Sequence, residues 1–429
     1  MAELRIAIAG LGTVGAGTLA LLRDQAALLA DRCGRPIRVV AVSARDRTKD
    51  RGVDLSAMRW FDDPVAMARE ADAEVVVELV GGSDGIAKQI CECAIEARRH
   101  VVTANKALIA HHGTALARKA EAIGVTLSFE AAVAGGIPIV KALREGLAAN
   151  RIQRIYGILN GTSNYILSGM RGTGRPFAKV LQQAQKLGYA EADPSFDVDG
   201  IDAAHKLAIL TSVAFGTEVD FASVYTEGIR HVSPLDMEYA EELGFRIKLL
   251  AIARRTENGI EQRVHPCMVR DTAAIAVVDG VTNAVVADGD FSGSTVYEGP
   301  GAGGGPTASA VVADLVDLAR GRRIPTFGVP AAALKPLVAS PMARHRGPYY
   351  IRLMVVDRPG VIADIAAALR DENISMESML QRGRSPNEAV PVVLTTHAGE
   401  EAAMNRAVQR IARLDAVIER PRLIRIEDL

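Results

Sequence analysis

A short apolar run at residues 4–9 passes directly into Gly10-Leu11-Gly12-Thr13-Val14-Gly15 and then into a helix expected to reach about Leu29. Few folds accommodate that order. The first glycine permits a tight turn, and the second lets backbone approach a pyrophosphate stabilised by the helix N-terminus. The third lets helix and strand pack closely. Further apolar runs follow at 37–42, 74–79, 101–103 and 125–129, separated by helix-length segments. Short apolar strands alternating with helices imply an α/β architecture built on a doubly wound parallel sheet. Residues 1–145 are therefore expected to form a Rossmann-like dinucleotide-binding domain. Its second strand ends at Ser43-Ala44-Arg45-Asp46. An acid there takes the ribose hydroxyls of NAD, whereas an arginine pairs with the 2′-phosphate of NADP. With Arg45 and Asp46 adjacent the preference stays open, leaning toward NADP or dual use, and Arg45 also reads as a solvated surface arginine.

The grain of the sequence changes after residue 145. Residues 146–299 begin with a strand at 152–158 and contain a helix at 201–215 that is apolar almost all round, hence buried. A Gly- and Pro-rich loop at 299–306 feeds a helix at 307–320. That helix is expected to pack back on the first domain, so that 300–325 completes it. Five prolines between Pro325 and Pro348 mark 326–347 as a linker. The last unit, 348–429, reads strand, helix, strand, strand, helix, strand at 350–356, 361–370, 375–381, 390–396, 400–414 and 424–426. That order is ferredoxin-like.

Composition removes several function classes. Fifty basic residues balance 51 acidic ones, so no global field draws the chain to nucleic acid or a membrane. Aromatics at 4% give little surface for base stacking. Cys91 and Cys93 are one residue apart, the wrong spacing for a CxxC pair, and a reduced, cytoplasmic chain is expected. No apolar run is long enough to span a bilayer, and the chain enters a strand almost at once, with no signal peptide.

The chemistry concentrates in Gly188-Tyr189-Ala190-Glu191-Ala192-Asp193-Pro194, continuing through Asp197, Asp199 and Asp202 to Lys206. Ser195, Asp197, Asp199 and Gly200 fit the first half of a calcium loop. Its twelfth position, however, falls on Lys206 where a glutamate is needed. On a structural reading Asp199 caps the helix, with Asp202 at its third position and an Asp202–Lys206 (i, i+4) pair. On a functional reading Lys206 lies within apolar Leu207-Ala208-Ile209-Leu210 and is partly buried. Burial lowers its pKa, a neighbouring carboxylate raises it, and a lysine so poised can protonate an alkoxide. Thr103-Ala104-Asn105-Lys106 closes a strand at the carboxyl edge where ligands bind in open α/β sheets. Lys106 there either faces substrate or is merely solvated. Asn160-Gly161-Thr162-Ser163-Asn164 follows another strand and reads as a carboxylate-holding backbone or as an ordinary Asn-Gly turn.

Taken together these segments resemble the homoserine dehydrogenase family, in its long bacterial form with a C-terminal ACT domain. The resemblance rests on residues 10–15, 103–106, 129–138 (Phe-Glu-Ala-Ala-Val-Ala-Gly-Gly-Ile-Pro), 157–167 (Gly-Ile-Leu-Asn-Gly-Thr-Ser-Asn-Tyr-Ile-Leu), 188–194, 197–206 and 301–311. It covers essentially the whole chain. Ser163 stands where the family usually has Thr and leaves a hydroxyl in place.

The resemblance implies interconversion of L-homoserine and L-aspartate 4-semialdehyde with NAD or NADP, in threonine, methionine and isoleucine biosynthesis. It assigns Lys206 as general acid/base, Asp202 as its orienting partner and Lys106 as a contact to substrate and nicotinamide. Glu191 would take the substrate ammonium. Asp197, Gly161, Thr162 and Tyr189 would complete the substrate site. Gly10, Gly12, Thr13, Val14, Gly15, Arg45, Thr103 and Gly303 would contact the cofactor. It further implies a monovalent cation, usually sodium, held mainly by backbone oxygens at Glu130, Val133, Gly135 and Ile137. The segment Val355-Val356-Asp357-Arg358-Pro359-Gly360-Val361, with Asn373-Ile374-Ser375, resembles an ACT amino-acid sensor. Its effector, expected to be L-threonine, would lie near Asp357, Gly360, Val361 and Asn373. A homodimer or homotetramer is expected, and removal of 349–429 is expected to spare the chemistry while abolishing the effector response. A non-catalytic nucleotide- and amino-acid-binding regulator, or another amino-acid dehydrogenase of the same plan, is the competing reading.

Overall fold

The computed structural model describes residues 2–382 and 388–429. Its first sheet is parallel, with strands β1 (Leu4–Ala9), β2 (Ile37–Ser43), β3 (Arg59–Phe61), β4 (Val75–Glu78), β5 (His100–Thr103) and β6 (Leu127–Ser128) in the order β3-β2-β1-β4-β5-β6. The order reverses between β1 and β4, which opens a crevice at their carboxyl ends. Helices α1 (Thr13–Asp24), α2 (Ala26–Cys33), α3 (Pro64–Glu70), α4 (Ile86–Glu96) and α5 (Lys106–Ile123) cover the faces. The single N-terminal helix expected from sequence is broken at Gln25, and its second half ends on left-handed Gly34. β3 was not expected: three residues, Arg59-Trp60-Phe61, are too short a run to mark a strand.

Beyond β6 come α6 (Ile139–Lys141), which runs into a π-turn at Ala142–Gly146, and a second sheet. That sheet is built from β7 (Ile152–Ile158), β8 (Tyr225–Thr226), β9 (Phe245–Thr256), β10 (Gly259–Arg270), β11 (Thr282–Gly289) and β12 (Gly293–Pro300). Helices α7 (Gly161–Thr173), α8 (Phe177–Lys186), α9 (Ser195–Val198), α10 (Ile201–Phe215) and α11 (Pro234–Glu242) accompany it. α10 is buried along nearly its whole length, as its apolar composition requires. α12 (Gly304–Ala319) returns to the first sheet. Val311, Leu315 and Leu318 join Leu4, Ile6 and Ile8 in one core, and a Cβ on Gly17 would meet the Gly304 carbonyl at 2.7 Å.

The C-terminal unit contains β13 (Arg346–Gly347), β14 (Tyr349–Val356), α13 (Val361–Arg370), β15 (Met376–Gln381), β16 (Ala389–Thr396), β17 (Gly399–Glu400), α14 (Glu401–Ile411) and β18 (Arg422–Glu427). Its four main strands run β18-β14-β16-β15, the ferredoxin-like arrangement. This sheet does not stand alone. β18 pairs in parallel with β10, Cys267 opposite Arg425, so the two sheets are continuous. One face of the C-terminal sheet carries α13 and α14. The other contacts α11, where Asp236 receives the Arg352 guanidinium at 2.6 Å and the Tyr350 hydroxyl at 3.2 Å. Residues 326–347 have little regular structure but are tied down. Phe327 is fully buried, the Glu121 carboxylate accepts the N–H groups of Thr326 and Ala331, and Ala339 bridges to Ile260.

Candidate active site

Two crevices meet the expectations of a dinucleotide enzyme. The first, about 590 Å³, lies at the β1/β4 switch point and is lined by Gly10, Gly12, Arg45, Asp46, Lys49, Arg51 and Val80 among others. Its floor requires glycine. A Cβ on Gly10 (φ +96°) would sit 2.5 Å from the Leu79 carbonyl, and one on Gly15 would sit 2.1 Å from the Gly10 carbonyl. Gly12 instead faces open space at the start of α1, where a pyrophosphate would approach the N–H groups. Thr13 and Val14 form the first turn of that helix and do not line the crevice. The Asp46 carboxylate is turned onto Thr48, accepting its N–H at 2.8 Å and its hydroxyl at 2.7 Å. Asp62 also lines the crevice and accepts the Trp60 indole N–H at 2.8 Å, so three cations and two engaged acids line it. The residues present fit a dinucleotide.

The second crevice, about 420 Å³, is lined by Lys106, Asn160, Gly161, Thr162, Tyr189, Asp197, Asp202, Lys206, Asn283 and residues 300–303. Three elements converge there. α10 supplies Asp202 and Lys206, one turn apart on the same face. α5 begins at Lys106, because Asn105 caps it by accepting the Leu108 N–H at 3.1 Å. α7 begins at Gly161, because Asn160 caps it by accepting the Ser163 N–H at 2.8 Å. The Asn-Gly pair is thus a helix start, and it brings Gly161 and Thr162 to the cleft.

Asp202 is the hub. Its Oδ2 accepts from Lys206 Nζ at 2.7 Å and its Oδ1 from Lys106 Nζ at 2.8 Å. Lys206 also donates to the Leu159 carbonyl at 2.6 Å. Burial pushes the Lys206 pKa down. Asp202 opposes that shift and the nearby Lys106 ammonium adds to it. Burial pushes Lys106 down too, but the Asp202 carboxylate prevails and its pKa lies above the ordinary lysine value. Burial favours a neutral Asp202, yet the two ammonium groups outweigh it and hold the carboxyl well below its usual range. Burial raises Asp197 instead. An ammonium-bearing substrate would favour the charged form of Asp197, since an opposite charge favours ionisation. Lysines of unequal acidity on one carboxylate are suited to proton transfer by one and charge stabilisation by the other.

Other expected residues are placed differently. Asp199 does not cap α10. The cap position is left-handed Gly200, and Asp199 forms an ion pair with Arg230 at 2.5 Å, because the chain turns too sharply there for any side chain to reach back. Asp202 is accordingly the second helical residue. Thr103 is fully buried and is in the lining of neither crevice. Its hydroxyl donates to Glu78 at 2.6 Å and accepts the Asn105 N–H, which shapes the turn before Lys106. Glu191 is exposed and outside the lining of the cleft, acting on Lys106 only through its field. Tyr189 lines the mouth, and Gly303, at φ +122°, precedes α12.

The Glu130–Ile137 loop is bent by two left-handed residues, Ala134 and Gly135. A Cβ on Gly135 would stand 2.7 Å from the Gly301 carbonyl. The Glu130 carboxylate accepts the N–H groups of Val140 and Lys141, starting α6. The buried carbonyls of Val133 and Gly135 take part in none of the hydrogen bonds found among the described residues. Such oxygens are the right donors for a hard monovalent cation. By contrast His265, Cys267 and Glu427, close enough together to hold a metal, are already engaged: Cys267 Sγ lies 3.3 Å from His265 Nδ1, and the other two serve Arg263. Arg263 bonds His265 Nε2 at 2.8 Å and Glu427 at 2.5 Å.

In the C-terminal unit, Gly360 and Val361 start α13 and Asp357 precedes it, whereas Asn373 follows its end. Ten helical residues span about 15 Å. Within one chain the four expected effector residues therefore form two separate groups. Asn283, the second residue of β11, carries no sequence signal of its own, and the motif beginning at Asn160 gave no sign that its amide turns toward Asp197 and Asp202. Among the described residues no helix is long and apolar enough to cross a membrane.

Comparison with known proteins accords with this geometry. Residues 10–130 match the family model for the homoserine dehydrogenase NAD-binding domain, 138–316 that for homoserine dehydrogenase, and 349–415 that for the ACT domain. The chain is 47% identical to the homoserine dehydrogenase of Neisseria gonorrhoeae and 47% identical to that of Pseudomonas aeruginosa, covering 100% of both chains in each case. The crystal structure of a homoserine dehydrogenase from Thiobacillus denitrificans superposes with a TM-score of 0.94 at 48% identity, over 100% of this chain and 99% of that one. A hyperthermophilic archaeal homoserine dehydrogenase in complex with NADPH matches 75% of this chain and 99% of its own, with a TM-score of 0.65 at 25% identity. With an NAD-binding crevice, a lysine pair on one buried carboxylate and relatives of this identity along its full length, the chain belongs to the homoserine dehydrogenase family of oxidoreductases.

Proposed function

We propose that the chain interconverts L-homoserine and L-aspartate 4-semialdehyde, serving threonine, methionine and isoleucine biosynthesis, and that it accepts NADP as well as NAD. The observation that carries this reading is the convergence of Lys206 and Lys106 on Asp202, in a cleft rimmed by Thr162, Asp197 and Gly303.

The nicotinamide, when bound, supplies or accepts hydride. Lys206 uses two of its N–H groups on Asp202 and Leu159, which leaves the third for the substrate oxygen. In the reducing direction it donates a proton to that oxygen as negative charge develops. In the oxidising direction it must first be neutral, and then accepts the hydroxyl proton. Lys106 stays charged and stabilises the oxygen electrostatically. Asp197 and the N–H groups at the start of α7 suit the ammonium and carboxylate of an amino acid, with Glu191 adding negative field. Arg45, Lys49 and Arg51 suit the 2′-phosphate of NADP. Glu130, Val133, Gly135 and Ile137 suit a monovalent cation such as sodium. The ACT unit suits feedback by L-threonine, with Asp357, Gly360, Val361 and Asn373 as its contacts in a homo-oligomer. A cytoplasmic location fits this role.

The test is homoserine-dependent reduction of NAD+ and NADP+, with and without threonine, beside the Lys206→Ala variant. Turnover lost in the variant but not in the parent supports the reading. A folded, cofactor-binding parent without turnover on homoserine refutes it.

A further inference from the structure

We propose that Asn160 is a positioning residue for the reaction, its side-chain amide locking Asp197 and Asp202 together so that Lys206 is aimed at the substrate oxygen. The inference rests on the reading of Lys206 as proton donor.

Asn160 is buried, 5% exposed, at the carboxyl end of β7. Its Nδ2 donates to Asp197 Oδ1 at 2.8 Å and to Asp202 Oδ2 at 2.9 Å, while its Oδ1 accepts the Ser163 N–H at 2.8 Å. The orientation of the amide is fixed by chemistry. Only NH₂ can meet two carboxylates, and only the carbonyl can meet an N–H. Both donors are thus committed to carboxylates on two different elements, α9 and α10. Asp202 Oδ2 is the same oxygen that holds Lys206. The neighbouring residue contributes as well, since the Leu159 carbonyl accepts the second N–H of Lys206. Residues 159 and 160 therefore grip the lysine and its partner from one side, leaving the remaining N–H directed at the cleft.

Without the amide, the two carboxyl groups would face each other across the gap it now fills, and Asp202 could rotate away from Lys206. A displacement of about 1 Å in such a group costs roughly 100-fold in rate.

The structure also supplies a way to separate this role from helix capping. Asn160→Asp keeps the shape and the oxygen that caps α7 but replaces both donors with an acceptor. The ionisable groups facing it are Asp197 on α9, Asp202 and Lys206 on α10, and Lys106 on α5. The expected result is kcat lowered about 100-fold, with cofactor affinity and melting temperature near those of the parent. In aldehyde reduction, activity relative to the parent should partly recover as the pH is lowered and the introduced carboxyl gains a proton to donate. Asn160→Ser, which caps but cannot reach either carboxylate, should lose kcat to a similar extent without the recovery at low pH.

Parental kcat and an unchanged pH profile in Asn160→Asp would reduce Asn160 to a helix cap and overturn the proposal. If Asn160→Asp does not fold, the kcat of a folded Asn160→Ser decides in its place, parental turnover again overturning the proposal. Lys206→Ala, measured alongside, keeps the two ideas apart. Full turnover in that variant removes the reading of Lys206 itself. An inactive Lys206→Ala beside a fully active Asn160→Asp removes only the positioning role.

Discussion

Arg263 on β10 and Glu427 on β18 form a bidentate ion pair, at 2.5 and 3.0 Å, buried inside the seam between the central and C-terminal sheets. Arg263 is 1% exposed. Burial alone would raise the Glu427 pKa, but the Arg263 guanidinium brings it below its ordinary value. Glu261 also approaches Arg263, at 3.3 Å, so removing Glu427 leaves the guanidinium buried and only partly matched, at a cost of up to about 3–5 kcal/mol.

Glu427→Ala should therefore lower the unfolding free energy by up to about that amount, read from denaturant melts. A native carboxylate with a depressed pKa contributes stability above its unfolded pKa of about 4.3, and that stability is lost as pH falls. The variant's deficit should accordingly shrink toward acid pH. Truncation after residue 348 removes β18 and leaves Arg263 with Glu261 alone, so it should destabilise the central domain rather than leave it intact. An unaltered melt for either protein would show that the seam contributes little.

Lys206 is predicted to impose opposite pH dependences in the two directions. Its pKa is lowered from 10.5, chiefly by burial. Homoserine oxidation needs the neutral amine and should rise with pH, with its midpoint below the ordinary lysine value. Aldehyde reduction needs the ammonium and should fall through the same limb. Lys206→Ala should lower kcat by about 10²–10⁴-fold while sparing cofactor affinity. Paired kcat–pH profiles check this, and a limb at or above 10.5 would place the proton on another group.

What could be read from the sequence follows the range of the interactions involved. Asp202 and Lys206 were legible because (i, i+4) spacing puts them on one face and the apolar neighbours of Lys206 imply burial. Lys106 was legible only as a strand-end residue, since its partner lies 96 positions away. Gly10 and Gly15 declared themselves because the backbone packed against them admits nothing larger. The fusion of the two sheets did not, because β10 is buried over nearly its whole length and an all-buried strand gives no sign of what lies beside it. Asp199 was misassigned as a cap because a left-handed glycine at 200 takes over the role that local pattern gives to an aspartate.

Arg45 should decide the balance between cofactors. The neighbouring Asp46 carboxylate is engaged by Thr48 in an Asx-type turn, which leaves Arg45, Lys49 and Arg51 facing the crevice. Arg45→Ala should raise KM for NADP by roughly tenfold, one charge-assisted hydrogen bond of about 1.5 kcal/mol, with little change for NAD. Equal losses with both cofactors would mean that Arg45 contacts a part they share.

Asp357 and Asn373 bracket α13 at opposite ends, so a single effector molecule can bridge them only if two copies of the chain contribute one end each. Asp357→Ala and Asn373→Ala should each abolish the threonine response while leaving basal turnover near parental. Co-expressing the two variants tests the geometry. A mixed dimer carries both defects in one composite site and none in the other, so part of the response should return in the isolated hetero-oligomer. If the mixed species stays insensitive while each homo-oligomer assembles normally, the effector is held within one chain, and one of these residues does not touch it.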